Sequence, residues 1–171
     1  MADAQIQAAA TALLDLCKAR KVMVATAESC TGGLVAGALT DIAGSSAVVD
    51  RGFVTYTNEA KHQMLGVPSD TLNRFGAVSR ETAEAMARGA LGNANADIVV
   101  AITGIAGPGG GTESKPVGMV CIAVALDETV ARTFKFPGNR ELIKTFAAFT
   151  AVDMVRRRLL GAAANADWLQ K

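Results

Sequence analysis

The sequence predicts an α/β fold, a three-layer α/β/α sandwich around a mixed, mostly parallel sheet. Three observations carry this. Short apolar runs alternate with segments of helical periodicity, the pattern of a sheet covered by helices on both faces. One run, Asp97-Ile98-Val99-Val100-Ala101-Ile102-Thr103, is nearly continuous in apolar residues, as a strand buried on both sides must be. Near the carboxyl end, 117–126 and 129–136 meet at Asp127-Glu128 as a hairpin and supply the antiparallel part.

The elements follow in order. Ile6, Ala9, Leu13, Leu14 and Cys17 form a helical stripe within 3–20. Val22 to Ala27 is a short buried strand ending in Glu28-Ser29-Cys30-Thr31-Gly32-Gly33, after which Leu34, Ala38 and Ile42 resume helical spacing. A second strand region comprises 47–49 and 52–56, bent at Asp50-Arg51-Gly52. Asn58 is the expected N-cap of a helix through Leu65 that stops at Gly66, and Pro68 opens a short helical turn. Ser79 begins a helix to about Gly92. The 97–103 strand gives way to a glycine-rich loop, 104–115. After the hairpin, Pro137-Gly138-Asn139-Arg140 leads into a long helix to about Leu160, with a fraying Ala-rich tail beyond Gly161.

With 171 residues, half of them hydrophobic and 19% charged, one domain over 1–171 is expected. Seventeen basic and 16 acidic residues leave a net charge of +1. That balance gives no electrostatic reason to expect nucleic acid as a partner. Three scattered cysteines without a CxxC pair point to a reduced, cytoplasmic protein. The start lacks the pattern of a secretory signal, and no apolar run is long enough to span a bilayer, so no membrane partner is expected. A single histidine leaves no zinc ligand set and no His-based triad, and no cofactor or metal is expected.

Ligands in such sheets bind beyond the carboxyl ends of strands. Three segments rich in glycine or hydroxyls, 28–33, 103–112 and 137–140, adjoin predicted strand ends and form one candidate site. Ser29, at a strand-to-helix turn, can present its hydroxyl while the amides near Cys30, Thr31 and Gly32 face an oxyanion. The alternative is that Ser29 or Thr31 only caps the helix. A serine nucleophile needs a base. His62 and Lys61 are both candidates, and Lys61 qualifies only if its pKa is depressed. Tyr56, the chain's one tyrosine, is placed to relay a proton or hold the amine. The glycines after Thr103 let backbone amides approach an anion, although the loop is neither a Walker A sequence nor a helix-opening GxGxxG. It reads equally as an ordinary mobile loop. Arg140 is a candidate phosphate clamp or a plain surface arginine.

Taken together, AESCTGG at 27–33, YTNEAK at 56–61, ITGIAGPGGGTESKPVG at 102–118 and FPGNR at 136–140 resemble the signature stretches of the CinA C-terminal domain family. The resemblance is to the stand-alone form, without the N-terminal domain that many CinA proteins carry. It implies a nicotinamide-mononucleotide deamidase, releasing ammonia and nicotinate mononucleotide in the recycling of pyridine nucleotides. Ser29 is then the nucleophile, with Lys61 and Tyr56 as catalytic partners. Substrate binding falls on Cys30, Thr31, Gly32, Thr103, Gly104, Gly109, Gly110 and Arg140. The partner implied is a small pyridine nucleotide, and a homo-oligomer is expected. One departure stands out: Asn139 occupies a position where the family commonly has aspartate. A non-catalytic nucleotide-binding or interaction module is the alternative function. A dehydrogenase-like use of Ser, Tyr and Lys fits poorly, because Tyr56 and Lys61 are five residues apart and no dinucleotide fingerprint precedes them.

Overall fold

A computed structural model describes residues 2–161; the expected fray of the tail lies outside the described residues. Helix α1 (Ala2–Arg20) leads into strand β1 (Val24–Glu28) and helix α2 (Leu34–Thr40). A 3-10 turn at Ser45–Ala47 precedes β2 (Val49–Val54), followed by α3 (Asn58–Leu65), α4 (Ser69–Phe75) and α5 (Arg80–Gly92). Strands β3 (Ile98–Gly104), β4 (Met119–Ala125) and β5 (Thr129–Lys135) and helix α6 (Arg140–Leu159) complete it.

The five strands form one sheet in the order β2-β1-β3-β4-β5. β1 pairs in parallel with β2 and β3, while β4 is antiparallel to both β3 and β5. Only β4 therefore runs against the others, and the expected mixed, mostly parallel three-layer sheet is the architecture found.

Side-chain alternation sorts the core into two layers. Ile98, Val100 and Ile102 of β3, with Val120, Ile122 and Val124 of β4, face α1, α2 and α6. Val99 and Ala101, with Cys121, Ala123 and Ala125, face α5 instead. The second layer is built of small residues, so α5 lies close on the sheet through Ala83, Met86, Ala87 and Ala90. Close packing continues outward. A Cβ on Gly89 of α5 would sit 1.8 Å from the Leu65 carbonyl oxygen, so only glycine lets α3 rest on α5 at this distance.

Two expectations shift. The strand is not split into two pieces at 50–52: β2 runs continuously from Val49 to Val54, and the irregularity there is a register shift that skips Asp50, with Val24 paired to Val49 and Ala25 to Arg51. Backbone pairing to β1 holds Arg51 and Gly52 extended at the sheet edge, while the Asp50 carboxylate accepts from the Arg51 side chain and the Asn95 amide. Helix α3 is capped by Thr57, whose hydroxyl accepts from the Ala60 amide at 3.0 Å, and Asn58 is its first helical residue. Ser79 caps α5 as expected, accepting from Thr82 N at 3.1 Å. Among the described residues, no helix is long and apolar enough to cross a membrane.

Candidate active site at the strand ends

The main chain at the end of β1 is fixed on both sides. The Ser29 amide donates to the Ile102 carbonyl at 2.9 Å, and the Thr55 amide donates to the Glu28 carbonyl at 2.8 Å. The chain then turns sharply: the Gly32 amide donates to the Ser29 carbonyl at 3.0 Å, and Gly33 adopts φ +100, a left-handed value that favours glycine. This elbow leaves Ser29 only 7% exposed at the wall of a cavity of about 270 Å³.

Neither Ser29 nor Thr31 caps α2. The carboxylate of Glu28, fully buried, accepts from the amides of Val35 at 2.9 Å and Ala36 at 3.0 Å and from the Thr31 hydroxyl at 2.7 Å. An acid reaching forward from the strand thus satisfies the first turn of the helix and its partial positive charge. Sequence reasoning missed this residue. The available signal was an acidic side chain one turn before an apolar helix, which suits an N-terminal dipole.

Lys61 comes from α3 and is 1% exposed. Its Nζ lies 2.9 Å from Ser29 Oγ and donates to the carbonyls of Thr55 at 2.9 Å and Tyr56 at 3.2 Å. No carboxylate forms an ion pair with it among the described residues. Burial pushes its pKa below the ordinary 10.5, because a buried ammonium loses hydration that nothing here replaces with negative charge. His62, the other candidate base, projects elsewhere on α3, its Nδ1 2.8 Å from the Val67 carbonyl.

What reaches Lys61 from Tyr56 is the main-chain carbonyl. Tyr56 is 59% exposed, and its phenol oxygen accepts from Arg140 at 3.2 Å. Arg140 also donates to the Gly107 carbonyl at 2.9 Å, so one guanidinium links the Tyr56 loop to the glycine-rich loop at the cavity mouth. Arg140 is the first residue of α6, whose N-cap is Asn139, accepting from the Leu142 amide at 3.0 Å. Asparagine and aspartate cap helices about equally well. The departure at 139 therefore leaves Arg140 in place.

Cys30, Thr103, Gly104, Gly109 and Gly110 line the same cavity as Ser29 and Lys61. Thr31 and Gly32 face a neighbouring groove between α1, α2 and α6. Glu28 draws the Thr31 hydroxyl inward, and the Gly32 amide is used by the turn, so direct ligand contact from that hydroxyl and that amide is not supported. The amides of Cys30 and Thr31 donate to no backbone carbonyl among the described residues. Burial pushes the Cys30 thiol up to about 12, which keeps it protonated and inert as a nucleophile at neutral pH.

Fold and site define a three-layer α/β protein with a buried serine–lysine pair where parallel strands end. Residues 6–159 match the CinA C-terminal domain, and the chain belongs to that family. It is 50% identical over 153 residues to a CinA-like protein of Geobacter sulfurreducens, covering 89% of this chain and 37% of that protein. A CinA-like protein of Mycolicibacterium gilvum is 55% identical over 140 residues, covering 81% of this chain and 33% of its own length. The chain thus spans about a third of the length of the curated relatives it matches. The crystal structure of the competence/damage inducible protein CihA from Agrobacterium tumefaciens superposes with a TM-score of 0.89 at 50% identity, covering 91% of this chain and 96% of that one. A competence damage-inducible protein A from Klebsiella pneumoniae gives 0.88 at 35% identity, covering 91% and 97%.

Proposed function

We propose that this chain is an amidohydrolase that cleaves the carboxamide of nicotinamide mononucleotide, with Ser29 as nucleophile and neutral Lys61 as its base. One observation carries the reading: a buried amine without a counter-ion lies 2.9 Å from a serine hydroxyl. A neutral amine has two hydrogens and one lone pair. With the Thr55 and Tyr56 carbonyls accepting its two hydrogens, the lone pair of the neutral amine faces the Ser29 hydroxyl, whose other acceptor is the Tyr56 carbonyl at the longer distance of 3.4 Å.

The steps follow. Ser29 Oγ attacks the carboxamide carbon as its proton passes to Lys61. The oxyanion is met by the amide of Cys30, the residue after the nucleophile and part of the same cavity wall. As the carbon–nitrogen bond breaks, the Lys61 ammonium returns that proton to the departing ammonia, leaving an ester on Ser29. Water then attacks the ester and gives a proton to Lys61, which hands it to the Ser29 oxygen as the acyl bond breaks. The acid product leaves. Arg140 and the amides of the glycine-rich loop hold the phosphate at the mouth, and the Tyr56 phenol positions Arg140. The cytoplasm, where pyridine nucleotides are recycled, is the proposed compartment.

An ammonia-release screen over nicotinamide, its riboside and its mononucleotide tests the assignment. Release from the mononucleotide far above the other two is expected. Binding of the mononucleotide without ammonia would leave a non-catalytic nucleotide-binding module in its place.

A further inference from the structure

Thr103 is the penultimate residue of β3 and is 1% exposed, yet it reaches the cavity that holds Ser29 and Lys61. Val99 and Ala101 of the same strand face the α5 layer, and alternation sends Thr103 to that side too. There its hydroxyl donates to the Ala77 carbonyl at 2.7 Å, in the segment joining α4 to α5. No other donor serves that carbonyl among the described residues.

A threonine hydroxyl carries one hydrogen and two acceptor lone pairs. Turning that hydrogen toward a ligand would break the 2.7 Å bond to the carbonyl of half-buried Ala77 at the cavity wall, so it stays on Ala77. Toward the cavity, Thr103 offers lone pairs only. A carboxamide and the carboxylate made from it have nearly the same shape. They differ at one atom: the amide presents N–H donors where the acid presents an oxygen with lone pairs.

We infer that Thr103, its proton held by Ala77, reads the amino group of the carboxamide as an acceptor and by the same lone pairs repels the carboxylate product. The inference rests on the amidohydrolase reading above and adds to it an orientation. The amide nitrogen lies toward Thr103, and the carbonyl oxygen toward the amide of Cys30. It also gives the acid product a reason to leave. A site that pairs a substrate N–H discriminates strongly against an analogue lacking it, because the site's own polar group is then left unmatched.

The test is calorimetric binding to Ser29→Ala protein, in which turnover does not interfere. Its ligands are nicotinamide mononucleotide, nicotinate mononucleotide and the 3-acetylpyridine analogue, which replaces the amino group with methyl. With Thr103 intact, the amide is expected to bind at least about tenfold tighter than either analogue. Thr103→Ser should keep that preference, and Thr103→Val should reduce it by about tenfold. A preference unchanged in Thr103→Val, with all affinities falling in parallel, would make Thr103 a tether for Ala77 only and overturn the inference. Equal binding of amide and methyl ketone to the intact site overturns it without any change at 103. A failure of the amidohydrolase reading looks different: wild-type protein releases no ammonia, whatever the order of affinities.

Discussion

Lys61 Nζ and Ser29 Oγ are 2.9 Å apart, brought together from a helix and a strand end 32 residues distant in sequence. The amine is buried and lowered in pKa mainly by desolvation. Activity that needs neutral Lys61 should rise with pH through the folded-state pKa, which lies below 10.5. The kcat/KM profile should therefore show an acidic limb. Lys61→Met should abolish that limb and lower kcat by about 100-fold or more with little change in substrate affinity. A rise in KM alone would count against a base.

The same shift has a stability consequence of definite sign. Below the folded pKa, Lys61 is protonated both folded and unfolded, and the burial penalty is fully present. Between the folded pKa and 10.5 only the unfolded chain binds the proton, so unfolding free energy rises with pH in that window. Denaturation of wild type against Lys61→Met as a function of pH reads this. Wild type should gain relative to the variant as pH climbs toward 10.5; a constant difference would contradict it.

Glu28 anchors the elbow that carries Ser29. Removing its carboxylate orphans the Val35 and Ala36 amides and the Thr31 hydroxyl. Glu28→Ala should cost about 3 kcal/mol in urea unfolding. Glu28→Gln, which retains a carbonyl acceptor, should cost less.

Gly89 sets how closely α3, and with it Lys61, approaches the sheet. Gly89→Ala places a methyl against the backbone oxygen of Leu65, which no rotamer change relieves. A destabilisation of about 1–3 kcal/mol is expected, with kcat falling as Lys61 is displaced. Thermal melts and turnover measured together check both.

Arg140 separates phosphate binding from chemistry. Arg140→Ala should raise the dissociation constant of the mononucleotide about 10- to 100-fold, the usual worth of a charge-assisted contact. The riboside, which lacks the phosphate, should bind the variant and wild type alike. An equal loss for both ligands would make Arg140 a brace for Gly107 and Tyr56 only.

The layers and strands were legible in the sequence because burial on both faces leaves a direct mark: β3 is apolar at nearly every position. β2 was harder to read, since an edge strand tolerates Asp50, Arg51 and Gly52, residues that locally favour a turn. Thr57 and Asn58 are both good caps, and only the geometry separates them. The candidate site was visible as residue types next to strand ends, but not as pairings. Glu28 was legible as the residue closing the first strand, but only its acidic charge ahead of an apolar helix hinted at its role, since two of its three partners are backbone amides that no residue type marks. Nor does sequence fix which way Tyr56 points. Its carbonyl and its phenol serve different neighbours, Lys61 and Arg140.

The central claim is that Ser29 carries the acyl group while Lys61 holds its proton. Acid-quenching protein during turnover of nicotinamide mononucleotide and mapping its peptides by mass tests this most directly. The account predicts a nicotinate-nucleotide ester on the peptide containing Ser29, and neither ester nor ammonia from Ser29→Ala. Ammonia release by Ser29→Ala at the wild-type rate would contradict it.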